Sequence, residues 1–265
     1  MRKSKVLSKI RSGGVAWLTN ASGGPSPMIC GIAAGIGFDG VWIDMEHRDL
    51  SYREVASMIM AIRERGADAV IRPRRSGPDA VYRLLEIGAA GLVVPHCMNA
   101  EHAREIARNT RFAPIGQRGM ETVCLDADYM MADAKEYFEF ANRETFVVVQ
   151  IEDREAVEDV EAIAAVEGVD GLFFGPGDLA QSYGIPLQFD HPTMREALER
   201  VAGAANKHGK IFSSTVGTAD AARPYLELGA RLINVSGDVI VLHQGWTAMK
   251  SELDELTKTI GSDDS

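Results

Sequence analysis

Phe146-Val147-Val148-Val149-Gln150-Ile151-Glu152 and Gly171-Leu172-Phe173-Phe174-Gly175-Pro176-Gly177-Asp178 are the stretches that decide the fold. Each starts as a short apolar run and ends in an acid. The intervening segment, 153–166, carries apolar residues at helical spacing. A strand–helix–strand unit of this length brings both strand ends to the same edge of a parallel sheet. Glu152 and Asp178 then face one pocket. Two carboxylates beside an amide and a Gly-rich turn suit a divalent cation with open positions better than they suit a core.

Outward from this unit, short apolar runs alternate with amphipathic ones along the whole chain. The pattern predicts strands over 15–19, 41–44, 69–72, 91–95, 146–150, 171–174, 211–214 and 232–235. It predicts helices over 51–64, 78–87, 100–110, 153–166, 193–208 and 219–228. Ser51 followed by Glu54 reads as a capping box, and Pro78 and Pro192 suit a first helical turn. Gly66, Gly88, Gly209 and Gly229 stand where helices end in a left-handed residue. Eight strands alternating with helices point to an α/β fold, a single-domain (β/α)8 TIM barrel over 1–265. A doubly wound open sheet is the competitor. The long interval 111–144 predicts an extra helix over 126–141. Residues 1–12 and 259–265 read as loose ends.

The composition is that of an ordinary globular chain: 265 residues, 46% hydrophobic and 25% charged. A net charge of −10 argues against nucleic acid as a partner, because phosphate binding needs basic patches. Three cysteines without a CxxC spacing favour a reducing compartment, and a cytoplasmic location is expected. No apolar run has the length of a membrane span, and the basic start Met1–Lys5 lacks the apolar stretch of a signal peptide.

Barrel enzymes place their chemistry at the C-terminal ends of the strands. Those ends carry Asp44, Glu46 and His47, then Arg72, then Pro95-His96, then Gln150 and Glu152, then Asp178, and finally Ser213–Thr215 and Ser236–Asp238. Glu152 and Asp178 fit two readings equally, cation ligands or acids at helix starts. Gln150 favours the first, because an amide at a strand end holds a substrate oxygen. Gly175–Asp178 reads either as an anion-binding turn or as a plain tight turn. Arg72 reads as a carboxylate or oxyanion clamp, or as a rim ion pair. His47 has the chemistry of a proton carrier, and His96 ranks below it. Thr215 is a further candidate on the substrate side. No nucleotide-binding glycine fingerprint, zinc spacing or nucleophile elbow is present.

Taken together, Ile43-Asp44-Met45-Glu46-His47, Val93-Val94-Pro95, Arg118-Gly119, Val149–Ala156 and Glu167–Leu179 resemble the HpcH/HpaI aldolase family, whose members include class II metal-dependent pyruvate aldolases. The resemblance runs from about Gly14 to the last helix. It implies a TIM barrel assembled as a homohexamer, a trimer of dimers with exchanged C-terminal helices, and the amphipathic segment 239–256 fits such a helix. It implies metal ligation by Glu152 and Asp178, with Mg²⁺, Mn²⁺ or Co²⁺ as the ion. Arg72 would contact the substrate 2-oxo group, Gln150 would lie in the substrate site, and the N–H groups of Gly177 and Asp178 would hold the pyruvate carboxylate. His47 matches an acid–base histidine and Asp44 a nearby functional acid. Glu86 stands where the family has an aspartate that partners the histidine. The loop 20–28 and the segments 181–190 and 213–217 depart from the aldolase pattern.

The expected activity is reversible aldol cleavage of a 4-hydroxy-2-oxo acid to a 2-oxo acid and an aldehyde through an enolate. A citrate-type condensation, a decarboxylation or lysis of an acyl thioester on the same site is the alternative, and a non-catalytic 2-oxo-acid-binding barrel is the third reading. No lysine stands among the strand-end residues, which disfavours a Schiff-base mechanism.

Overall fold

The computed structural model describes residues 2–75 and 81–262. In chain order the elements are α1 (Lys5–Arg11), β1 (Ala16–Asn20), α2 (Pro27–Ile36), β2 (Gly40–Asp44), α3 (Tyr52–Glu64), β3 (Asp68–Arg72), α4 (Val81–Glu86), β4 (Gly91–Val94), α5 (Ala100–Thr110), α6 (Ala134–Glu144), β5 (Phe146–Ile151), α7 (Arg154–Glu158), α8 (Val160–Ala164), β6 (Gly171–Phe174), α9 (Pro176–Ser182), α10 (Pro192–Lys207), β7 (Ile211–Val216), α11 (Arg223–Glu227), β8 (Leu232–Gly237) and α12 (Asp238–Ser262). The eight strands pair in parallel in chain order, and β8 closes on β1. This is the (β/α)8 barrel that the alternating pattern predicts, and it excludes the open sheet.

Side chains on a strand alternate between faces. Leu18, Trp42, Val70, Val93, Val148, Phe173 and Leu232 fill the barrel interior. Their neighbours Val41, Ile43, Ile71, Leu92, Val147, Val149, Leu172 and Ile233 belong to the larger core between barrel and helices. Two residues further along, the inward-facing set turns polar: Asn20, Asp44, Arg72, Gln150, Thr215 and Asn234. The same alternation that packs the lower barrel therefore aims these groups at its mouth. Gly91 is required by close approach, because a Cβ there would meet the Phe146 ring at 2.1 Å.

The first residues are not a loose end. Ser4 caps α1, Val6 and Leu7 are buried among the interior residues, and α1 plugs the N-terminal end of the barrel. Asp68 fixes the plug by accepting from Ser4 Oγ (2.6 Å) and from the Val6 N–H (2.9 Å), and it pairs with Arg2. At the other end α12 runs to Ser262, and 263–265 lie outside the described residues. The predicted helix start at Pro78 also falls outside them.

Helix 153–166 is broken. Asp159 leaves the helix at φ −99°, ψ 9°, and its carboxylate accepts the Ala100 N–H that opens α5. The interval 126–141 contains a single 3-10 turn, Asp128–Met130, before α6. No helix among the described residues is long and apolar enough to cross a membrane.

α12 has an unusual setting. Every residue from Val239 to Ile260 is exposed. Val239, Leu242, Trp246, Met249, Leu253, Leu256 and Ile260 recur at alternating steps of three and four, the spacing of a helix seam. Trp246 is 66% exposed. Its neighbour at the barrel, α2, also shows an outward apolar stripe, Met28, Ile32 and Ile36.

Candidate metal and substrate site at the barrel mouth

The site is built from the polar ends of β2, β3 and β5, the residues just after β4 and the first turn of α9. Arg72 donates to Asp44 at two points, Nε to Oδ1 (2.9 Å) and Nη2 to Oδ2 (2.7 Å). The third guanidinium nitrogen, Nη1, faces Glu46 Oε2 at 3.3 Å. Burial alone pushes the Asp44 carboxyl up. The Arg72 hydrogen bonds and charge, with the backbone N–H groups of His47 and Glu46, overcome it and hold Asp44 below the usual carboxylate range. Asp44 is thus an acceptor that fixes the guanidinium plane, and Arg72 is the cation of the mouth.

Glu152 is 1% exposed. Its Oε2 accepts from Gln150 Nε2 (2.7 Å) and its Oε1 from the His96 backbone N–H (2.8 Å). The packing is close: a Cβ on Gly175 would meet Glu152 Oε2 at 2.7 Å and Glu152 Cβ at 2.8 Å. Donor atoms of Glu152, Asp178 and His96 all lie within 4.8 Å of one another. Burial above all, helped by the charges of Asp178 and Glu46 and opposed by His96, pushes the Glu152 carboxyl up to about 7. Two further polar atoms at the mouth, Glu46 Oε2 and Gln150 Oε1, are buried without a hydrogen-bond partner. The buried carboxylates of Glu152 and Glu46, the more exposed Asp178 and the free Gln150 Oε1 form a hard-donor set that fits a divalent cation.

Glu152 gives a pH prediction with a definite sign. Its folded value lies above the unfolded value of about 4.3, so the metal-free fold is favoured by the proton. That contribution is complete below the unfolded value and is lost as pH rises through about 7. The melting temperature of the EDTA-treated protein is expected to fall between pH 5.5 and pH 8. Added Mn²⁺ is expected to raise it more at pH 8 than at pH 5.5, where protons compete for the carboxylate. Scanning calorimetry at the two pH values checks both. A second prediction follows from the packing. Gly175→Ala displaces Glu152 and should weaken Mn²⁺ binding about tenfold or more, as misplacing a ligand does. Titration calorimetry reads it.

Several sequence-predicted residues fall into place and others do not. Asp44, Arg72, Gln150, Glu152 and Asp178 gather at the mouth. The Gln150 NH2 is engaged by Glu152, which leaves Oε1 for a ligand. Thr215 Oγ1 accepts from Asn234 Nδ2 at 3.0 Å. The Cβ position of Gly177, in the first turn of α9, meets open space. His47 is half exposed, and Glu46 Oε2 lies 3.6 Å from its Nε2. Glu86 is a correction: within the chain it does not partner His47. α4 runs down the barrel wall, so its last residue lies near the start of β4, at the end opposite the mouth. The charges that act on Glu86 are Arg118, Glu121, Arg83 and Asp126. Two residues at the mouth were undervalued by the sequence reading. Glu46 extends the inward series Trp42–Asp44, and that alternation is the signal for it. His96 has no such signal, because its placement depends on a left-handed backbone (φ 51°) just after β4.

Comparison with known proteins shows the family and the fold. Residues 22–244 match the family model described as HpcH/HpaI aldolase/citrate lyase. A 4-hydroxy-2-oxo-heptane-1,7-dioate aldolase from Escherichia coli is 35% identical over 218 residues, covering 82% of this chain and 83% of that enzyme. The crystal structure of an HpcH/HpaI aldolase from Desulfitobacterium hafniense DCB-2 superimposes with a TM-score of 0.88 at 32% identity, covering 94% of this chain and 96% of that one. The citrate synthase SbnG superimposes with a TM-score of 0.85 at 25% identity, covering 97% and 99%. With the family model matched over residues 22–244 and relatives and solved structures alike over most of its length, the chain belongs to the HpcH/HpaI aldolase/citrate lyase family.

Proposed function

We propose that the protein is a divalent-metal-dependent carbon–carbon lyase that reversibly cleaves a 4-hydroxy-2-oxo acid to pyruvate, or a related 2-oxo acid, and an aldehyde. The observation that carries this reading is the Arg72 guanidinium, locked by Asp44 and set beside the Glu152–Asp178 pair. Glu152 and Asp178 hold the cation, Mg²⁺, Mn²⁺ or Co²⁺, which supplies Lewis-acid polarisation of the 2-oxo group. Arg72 aims Nη1 at the oxygen that gains charge as the enolate forms. The N–H groups of Gly177 and Asp178 bind the substrate carboxylate, and Gln150 Oε1 and Thr215 line the substrate side. His47, at the exposed edge beside Glu46, takes the proton of the C4 hydroxyl as the C3–C4 bond breaks, a proton then adds to C3 of the enolate to release the 2-oxo acid, and the addition direction reverses both transfers. The test is pyruvate release from a 4-hydroxy-2-oxo acid, read by coupled NADH oxidation, with and without added cation.

The likeness to SbnG supports a second reading, a citrate-type condensation through the same enolate. The two are separated by offering oxaloacetate as the acceptor and looking for a tricarboxylic product in place of pyruvate release.

The assembly we propose is a homo-oligomer in which a second copy covers α12. The support is the seam of apolar side chains exposed along all of α12, which a solitary chain would leave in water. Trp246→Glu combined with Leu253→Glu is expected to convert the oligomer to smaller species in light scattering coupled to size exclusion.

A further inference from the structure

The cation site proposed above rests on two carboxylates; His96 lies against Glu152, and a donor atom of its ring is within 4.8 Å of one on each carboxylate. Its backbone N–H donates to Glu152 Oε1 at 2.8 Å, which the φ of 51° makes possible. A left-handed backbone is costly for a residue with a Cβ, so the surrounding structure enforces this placement. The ring is fixed independently: Nδ1 lies 2.8 Å from Asp153 Oδ2. With Asp153 accepting the Nδ1 proton, Nε2 of the neutral ring carries a lone pair. That nitrogen faces Glu152 Oε1 at 3.7 Å and Glu46 Oε1 at 3.6 Å, both too long for hydrogen bonds. Two donors about 2.1 Å from one ion lie at most about 4.2 Å apart, so 3.7 Å fits a shared cation where it fits no direct contact.

We propose that His96 Nε2 is a third protein ligand to the cation held by Glu152 and Asp178, with Asp153 as the carboxylate that orients the imidazole. Carboxylate–histidine–metal is a recurrent arrangement in which the outer acid fixes the tautomer and ring plane. Glu46 Oε1, 3.6 Å from His96 Nε2, adds negative charge beside it. A nitrogen donor changes the class of ion the site selects. Imidazole suits Mn²⁺, Co²⁺ and other transition ions, whereas an all-oxygen set suits Mg²⁺. The protein is therefore a transition-metal enzyme by choice of ligand, and Mg²⁺ is its weaker ion. The proposal rests on the reading of Glu152 and Asp178 as cation ligands.

The probe is Mn²⁺ alone on the full-length protein, read by pulsed electron paramagnetic resonance and by titration calorimetry. Wild-type protein is expected to show a directly coupled ¹⁴N nucleus that disappears in His96→Asn. Asparagine tolerates the left-handed backbone, so the main chain is kept. Mn²⁺ affinity in that variant is expected to fall about tenfold or more. Should His96→Asn fail to fold, Asp153→Asn is the second variant, expected to weaken Mn²⁺ about tenfold while the nitrogen coupling persists. Mn²⁺ bound to the wild type without nitrogen coupling, or with coupling and affinity unchanged in His96→Asn, overturns the proposal. Methyl-proton exchange of pyruvate by the same Mn²⁺-loaded sample keeps the two readings apart. Exchange without nitrogen coupling removes His96 as a ligand and leaves the lyase; nitrogen coupling without exchange removes the lyase and leaves the ligand.

Discussion

Arg72→Ala is expected to lower kcat by about a hundredfold or more, the loss seen when one preorganised oxyanion donor is removed. The argument is geometric. Asp44 occupies Nε and Nη2, so the guanidinium cannot swing and only Nη1 points into the mouth. A donor held in place before charge develops costs no reorganisation when the oxygen turns negative, so its effect falls on kcat more than on KM. Arg72→Lys should recover little, because an ammonium cannot satisfy Asp44 at two points and still face the substrate. Removing the cation also leaves Asp44, 5% exposed, without its counter-charge. The assay is therefore paired with a melting curve, so that lost turnover in folded protein is what is counted. Turnover within a factor of about three of wild type in folded Arg72→Ala would remove Arg72 from the enolate step.

Stripping the cation is expected to have the larger effect. Lewis-acid stabilisation of a developing oxyanion is worth several kcal/mol, about a thousandfold in rate. Excess EDTA should abolish turnover, and Mn²⁺ or Co²⁺ in excess of the chelator should restore it. Glu152→Gln should reproduce the loss without chelator and should not be rescued by millimolar cation. This variant keeps the size of the side chain and the burial that surrounds it, but its amide cannot serve as an anionic ligand beside Asp178 and Glu46. Undiminished rates in EDTA would show that the carboxylates act without a metal.

Much of this architecture is legible in the sequence, and the reasons are particular. β-Branched runs such as Val147–Val149 place the strands to within a residue or two, because strands buried on both faces need continuous apolar sequence. The acids at their ends are visible because the inward alternation continues past the apolar layer, from Trp42 to Asp44 and from Val148 through Gln150 to Glu152. What the sequence hides is governed by tertiary structure. α2, with Gly31 and Gly35 and apolar residues on all sides, has no polar face to mark it, and its only signals are the start at Ser26-Pro27 and the stop at Gly37. α1 is short and basic and reads as a tail until Asp68 and the open end of the barrel give it partners. Glu86 matches by position alone, and only the run of α4 down the wall shows that it lies away from His47. His96 requires a left-handed residue after β4, and no pattern of hydrophobicity announces one.

α12 carries the opposite lesson. The segment 239–256 reads in the sequence as an amphipathic helix that fits an exchange between subunits; the exposed seam continues to Ile260, and the barrel of its own chain does not cover it. The same is true of Met28, Ile32 and Ile36 on α2. The exposed stripes on these two elements give mutations directed at assembly.

The most direct test of the central claim, that the mouth enolises a 2-oxo acid, needs no knowledge of the aldehyde. Pyruvate is incubated in D2O with the cation-loaded protein, and its methyl proton signal is followed by NMR after removal of the ion. The account predicts cation-dependent loss of that signal, absent from Arg72→Ala and from Glu152→Gln. Retention of the methyl protons at the protein-free rate, in cation-loaded wild-type protein, would contradict it.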